Sequence, residues 1–152
     1  MAHLQLTSDS PEATRRIAAR LGAVLQAGDV VALFGDLGAG KTCFVQGLAE
    51  GLGIHGHVTS PTFILIRQHP GNPPLCHADA YRLAAPEDLE DLGLEDILAT
   101  SVLAVEWAER VLGALPQDRV EVYLGGGDGD TREIVIKAQG PRLEAALEEL
   151  FA

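Results

Sequence analysis

Apolar positions along this chain switch between two spacings, and each switch marks an element. Residues 4–6 suit a short first strand. Ser10, Pro11 and Glu12 then supply a side-chain cap, a fixed φ and an acidic first turn, which predicts a helix running to about Gln26. Ile17, Leu21, Val24 and Leu25 recur at helical spacing on one face, and Gly28 offers a left-handed stop. Residues 29–34 contain the unbroken run Val30, Val31, Ala32, Leu33, Phe34, the pattern of a strand covered on both faces of a parallel sheet. A glycine-rich stretch follows, then a helix-forming segment to about Leu52.

Beyond Gly53 a polar connection carries His55, Gly56, His57, Val58, Thr59, Ser60, Pro61 and Thr62. Residues 63–68 and 75–80 read as two strands joined by Pro70, Gly71, Asn72, Pro73 and Pro74, a hairpin that brings antiparallel strands into the sheet. Pro86, Glu87 and Asp88 open another helix. Val102, Leu103, Ala104 and Val105 form an apolar strand ending at Glu106. Residues 119–124 and 132–138 make a second hairpin, and residues 141–151 close the chain as an amphipathic helix. There is no internal repeat. The alternation of strands and helices predicts a three-layer α/β domain with a mixed, partly antiparallel central sheet.

Composition narrows the classes. A length of 152 residues with 47% hydrophobic content suits one domain, residues 1–152, with a core of its own. Eleven Lys and Arg residues stand against 22 Asp and Glu residues, a net charge of −11, so no basic stripe is available for a nucleic-acid backbone or an anionic membrane. Cys43 and Cys76 show no paired spacing with histidines, which argues against a zinc site or disulfide framework and fits a reducing cytoplasm. No signal segment and no bilayer-length apolar run is present.

The chemistry centres on Gly35, Asp36, Leu37, Gly38, Ala39, Gly40, Lys41 and Thr42, which fit the phosphate-binding pattern GxxxxGK[ST] between a strand and a helix. Glycines let the chain curl and aim successive backbone N–H groups at phosphate oxygens. Lys41 adds charge against the β and γ phosphates, the Thr42 hydroxyl is placed for Mg²⁺, and the helix start contributes the positive end of its dipole. Such a loop needs an acid at the end of a neighbouring strand, and the chain offers two, Asp79 and Glu106. Glu106 follows four apolar residues, as an interior strand beside the loop would end, and is the Mg²⁺ candidate. Asp79 is left to orient or deprotonate water, or to reach the metal through water. Thr59, Ser60 and Thr62 can face a γ-phosphate or simply bond the backbone of a turn. His77 with Asp79 is too small a set for a metal site, so His77 reads as structural.

GDLGAGKT, then TSPTF at residues 59–63, HADAYR at residues 77–82 and VEW at residues 105–107 together resemble the bacterial TsaE family. Members of that family are small P-loop ATPases that help make threonylcarbamoyladenosine in tRNA with the TsaD and TsaB proteins. The resemblance covers nearly the whole chain; its terminal helices and last hairpin are generic. It implies ATP, with ADP as product, and Mg²⁺ as cofactors. Lys41 and the loop amides would carry phosphates, Thr42 and Glu106 would hold Mg²⁺, and Asp79 matches the family's catalytic acid. Thr59, Ser60 and Thr62 match its phosphate-sensing loop, Trp107 lies beside the nucleotide, and Ser10 and Arg132 fall near its nucleotide contacts. Cys43 departs from the family, which commonly has a second threonine there, so a hydrogen bond contributing about 0.5–1.5 kcal/mol is replaced by a weak thiol donor. The expected partner is an assembly of TsaD and TsaB, with tRNA met only through it. Rival classes fit less well. A GTPase needs an Asn-Lys-x-Asp segment, yet Asn72 is the only asparagine and Pro73 follows it. A small nucleoside or metabolite kinase shares the loop but needs an arginine-rich lid, and no arginine cluster appears. A nucleotide-binding module without turnover is compatible with the many acids on the expected helix surfaces.

Overall fold

The buried apolar runs and the turns between them build one mixed sheet in the computed structural model, which describes residues 1–36, 40–55, 66–126 and 129–151. Its strands are β1 (Ala2–Ser8), β2 (Val30–Phe34), β3 (Ile66–His69), β4 (Leu75–Asp79), β5 (Val102–Glu106), β6 (Val120–Gly126) and β7 (Arg132–Ala138). Among the described residues they form a seven-stranded sheet in the order β1-β7-β6-β2-β5-β4-β3. The centre is parallel: β2 pairs with both β5 and β6, and β4 pairs with β5. Both margins are antiparallel, through β1–β7, β6–β7 and β3–β4. The two expected hairpins are therefore β3–β4 and β6–β7. Residues 63–65 of the expected third strand lie outside the described residues.

Helices cover both faces, giving three layers. On one face α1 (Pro11–Gly22), α2 (Lys41–Gly51) and α5 (Pro141–Leu150) contribute Ala18, Leu21, Phe44, Leu48, Leu143 and Leu147 to a core shared with Val31, Leu33, Leu75 and Ala104. On the other, α3 (Pro86–Asp91) and α4 (Leu94–Thr100) place Leu89 and Leu94 against Val30, Ala32, Cys76, Ala78, Leu103 and Val105. Central strands buried on both sides need apolar residues at consecutive positions, and β5 is buried at every position from Val102 to Glu106.

Two expectations are corrected. The first helix ends at Gly22, not near Gln26: Val24 and Leu25 donate to the carbonyls of Leu21 and Gly22, a tightened turn that keeps Leu25 buried without continuing the helix. Gly28 does take a positive φ of 94°, but in the turn entering β2, where its N–H bonds the Ser101 carbonyl. The segment opened by Pro86 is two short helices, separated by Gly93 at φ 96°.

Contact between α1 and α2 bears directly on the glycine-rich loop, because α2 begins at Lys41. Gly47 lies where a methyl group would sit 2.5 Å from the Arg15 carbonyl and 2.6 Å from Ala18 Cβ. Gly22 and Gly51 are similarly closed, by the Leu48 and Ala19 carbonyls. An exposed helical Gly→Ala change ordinarily stabilises by about 0.5–1 kcal/mol, but here it forces two backbones apart. Gly47→Ala is expected to destabilise by roughly 1–3 kcal/mol, lowering the melting temperature by about 2–4 °C for each kcal/mol lost in a chain of this size. A thermal scan showing an unchanged or raised midpoint contradicts the close packing.

Candidate functional site

The strand ends of β2, β5 and β4 define the site. Leu33 pairs with Glu106, and Glu106 pairs with Asp79, so the carboxyl ends of three adjacent parallel strands lie level. That edge is where open α/β sheets place their ligands. After β2 the chain passes Gly35 and Asp36 and enters α2 at Lys41, with Gly40 in the left-handed region at φ 100° as the helix N-cap. Only glycine takes that conformation without strain. Gly40 supplies no side-chain cap, so the first amides of α2, which have no intrahelical carbonyl, are left for another acceptor. Leu37, Gly38 and Ala39, and likewise Thr59, Ser60 and Thr62, lie outside the described residues.

Lys41 is 5% exposed. Its Nζ donates to the Gly35 carbonyl at 2.6 Å and stands 3.6 Å from the centre of the Trp107 ring. No carboxylate pairs with it at ion-pair distance among the described residues. Burial lowers its pKa from the ordinary lysine value, against the opposing pull of Glu106, Glu109, Asp79 and Asp36. The ring contact contributes about 0.5–2 kcal/mol. Trp107 reaches that position because it takes φ 58° and ψ 42° directly after β5, a turn that folds the indole back over the lysine. A bulky residue with positive φ stores strain that the surroundings must hold. Tyr81, 54% exposed, lies against the outer part of Trp107 with ring centres 5.1 Å apart, and the Arg110 guanidinium covers Tyr81 at 5.3 Å.

Glu106 is 5% exposed. Its Oε2 lies 3.5 Å from Thr42 Oγ1 and 2.5 Å from His77 Nε2. A hydroxyl and a carboxylate at this separation are hard oxygen donors that a small divalent cation can bridge, and Mg²⁺ characteristically takes one or two protein oxygens and fills its shell with water and phosphate oxygens. The Thr42–Glu106 pair fits such an ion. No cluster of three His, Cys, Asp or Glu residues with metal-site geometry occurs among the described residues. Asp79 is half-buried beside Glu106, and its Oδ1 accepts the Tyr81 N–H at 2.9 Å, which fixes the carboxylate at the strand end.

Cys43 and Arg132 lie together beside α1, whose cap is Ser10. Ser10 caps α1 by accepting the Ala13 N–H at 3.0 Å. The Cys43 thiol faces the Pro11 carbonyl at 3.3 Å, and burial raises its pKa. A cavity of about 50 Å³ is lined by Pro11, Thr14, Gly40, Cys43, Asp130 and Arg132, so α1, α2 and β7 meet beside the loop. Arg132 donates to the carbonyls of Gly129 and Thr131, each at 2.8 Å.

The match to known proteins agrees with this geometry. Residues 8–134 match the model of the TsaE family, threonylcarbamoyl adenosine biosynthesis protein TsaE. The chain belongs to the TsaE family. It is 44% identical over 140 residues to the Streptomyces coelicolor tRNA threonylcarbamoyladenosine biosynthesis protein TsaE, covering 87% of this chain and 95% of that one. The Bacillus subtilis protein of the same name is 43% identical over 152 residues, 99% of this chain and 95% of the relative. The crystal structure of Bacillus subtilis YdiB superposes with a TM-score of 0.84 at 40% identity, over 98% of this chain and 94% of that one. The α/β architecture expected from the sequence is thus the architecture of the family.

Sequence reasoning assigned no contact to Tyr81 and gave His77 a structural role only. The motif HADAYR contains both, yet nothing local in it shows that the histidine meets a glutamate 29 positions away or that the tyrosine lies on the chain's single tryptophan.

Burial disfavours the charged form of Lys41, so its proton should leave at a lower pH than that of an exposed lysine. Because Trp107 is the only tryptophan, its emission should show a transition below the ordinary lysine range that Lys41→Met removes. An identical pH profile in the two proteins contradicts the ammonium–indole contact.

Proposed function

We propose that this TsaE-family protein is a cytoplasmic Mg²⁺-dependent ATP hydrolase that supports threonylcarbamoyladenosine formation in tRNA through an ATP-dependent cycle with TsaD and TsaB. The observation that carries the reading is the buried Lys41 ammonium without an ion-pair partner among the described residues, next to an uncapped helix start and the paired Thr42 and Glu106 oxygens. A desolvated cation at such a place is stabilised by an incoming phosphate. Its hold on the Gly35 carbonyl and the Trp107 face is neutral on both sides, so charge remains to be matched.

In this reading the first amides of α2 and Lys41 grip the phosphate chain. Thr42 and Glu106 would hold Mg²⁺, and Trp107 and Tyr81 wall the side of the site. Asp79, level with Glu106 and anchored by the Tyr81 amide, orients the attacking water or accepts its proton. When bound, Mg²⁺ neutralises charge on the phosphates during transfer. Cys43 and Arg132 border the far side, where the thiol is a weak donor, and Ser10 caps the helix that begins there. The family name of the relatives supports the place in tRNA modification. No described helix is long and apolar enough to cross a membrane.

Lys41→Ala should abolish ATP hydrolysis, while Glu106→Gln should lose Mg²⁺-dependent turnover and keep nucleotide binding, since the amides that hold phosphate are untouched. Steady-state turnover with equilibrium binding checks both. Lys41→Ala turnover near that of the unaltered protein sinks the loop assignment, and equal competition by GTP reopens the GTPase reading.

A second expectation concerns tRNA. Basic residues number 11 against 22 acids, and several are engaged: Arg15 with Glu12, Arg119 with Glu121 and Arg142 with Asp29. Affinity for a phosphate backbone depends on the number of phosphates neutralised. The isolated chain should therefore show negligible tRNA binding at physiological salt and should dock, with ATP, on the TsaD–TsaB assembly. Anisotropy with labelled tRNA, with and without those proteins, decides it. Micromolar binding by the chain alone is the contrary result.

A further inference from the structure

His77 is completely buried, at 0% exposure, in the same layer as Leu33, Leu75 and Ala104. One ring nitrogen, Nε2, lies 2.5 Å from Glu106 Oε2, and the other, Nδ1, has no hydrogen-bond partner among the described residues. A carboxylate oxygen only accepts, so Nε2 carries the hydrogen and donates. The register explains how the two meet. His77 stands opposite Ala104 on the neighbouring strand, and Glu106 stands opposite Asp79. The histidine therefore reaches Glu106 on the diagonal, leaning along the strand across a residue whose side chain is a single methyl group. Packing alone gives no reason for this choice, because leucine or methionine would fill the layer without leaving a buried nitrogen unpaired. The bond to Glu106 offsets that penalty.

We propose that His77 is a positioning residue that fixes the Glu106 carboxylate beside the Thr42 hydroxyl, so that the two oxygens are set in advance for a divalent cation. Glu106 would otherwise have three rotatable side-chain bonds and, among the described residues, no other hydrogen-bonding side-chain partner than Thr42, at the long distance of 3.5 Å. A hydrogen bond to the carboxylate selects one arrangement before the metal arrives. The proposal rests on the metal role proposed for Glu106 and adds the device that holds it.

Three variants separate positioning from packing. His77→Gln puts an amide N–H near the place of Nε2. His77→Asn keeps a polar group but is too short to reach Glu106, and His77→Leu keeps bulk without a donor. The measurements are the Mg²⁺ concentration at half-maximal ATP turnover, direct Mn²⁺ binding by electron paramagnetic resonance, and Mg²⁺-free nucleotide affinity from Trp107 fluorescence. His77→Leu and His77→Asn are expected to weaken Mg²⁺ and Mn²⁺ binding by about 10-fold to 100-fold with Mg²⁺-free nucleotide affinity unchanged, and His77→Gln to recover most of the loss. If His77→Leu does not fold, the comparison of Gln with Asn carries the test alone. Asn and Gln variants with equal metal affinity overturn the proposal, and so does a parallel loss of metal-free nucleotide binding, which marks a packing role. A Mg²⁺ requirement in the unaltered protein that the variants leave unchanged overturns the role of His77 only, whereas absence of any Mg²⁺ requirement in the unaltered protein overturns the metal reading and this proposal together.

Discussion

Parallel pairing of β2 with β5 is the constraint on which the site depends. It sets Leu33 level with Glu106, and therefore sets the start of the loop level with that buried acid. A shift of one residue in that register would send the side chain of Glu106 to the opposite face of the sheet, into the layer of Val105 and Ala32. The slip is prevented because both strands are buried on both faces. The same pairing continues into β4 and brings Asp79 alongside. The two carboxylates thus share an edge through strand pairing alone, while Lys41 reaches it across the turn that follows β2.

Burial of Lys41 follows from this arrangement. Its helix starts where the strand ends, so the side chain points back over the sheet edge, and Trp107 closes it from the other side. Glu106, Glu109, Asp79 and Asp36 all favour the ammonium, yet desolvation prevails in lowering its pKa. Several acids at a distance do not replace one at contact. A buried cation left in this balance is offset better by an anion at contact than by a neutral group.

The parts legible in the sequence were those written in adjacent residues. An apolar run, a glycine-rich turn and a helix-forming segment gave the loop its place, and four apolar residues before Glu106 gave the strand beside it. The first hairpin carried its turn as a cluster of proline, glycine and asparagine, and the second as a run of glycine and aspartate. What periodicity missed came from distant neighbours. Leu25 is buried and Val24 partly buried, as a helix would place them, but in a tightened turn, so the spacing of apolar residues overran the helix end. The positive φ of Trp107 has no sequence signal, because such a conformation is imposed by the surroundings on a residue that disfavours it. The bond between His77 and Glu106 runs between neighbouring strands, with Ala104 opposite His77, an arrangement that no motif containing only one of the strands can express.

The N-terminal helix belongs to the site for a similarly distant reason. Gly22, Gly47 and Gly51 remove the side chains that would hold α1 off α2, and the backbones meet closely enough that the Pro11 carbonyl lies 3.3 Å from the Cys43 thiol. Position 43 therefore faces two ways. A side chain there can bond toward the loop or toward the start of α1, and a thiol, being a weak donor, holds either partner less firmly than a hydroxyl would. The Arg15 guanidinium approaches the sulfur at 4.0 Å and favours its ionised form, yet burial keeps the pKa raised, so the thiol stays protonated and acts as a small apolar filler. The contact between α1 and α2 rests on glycine-to-backbone packing and does not need a strong donor at position 43.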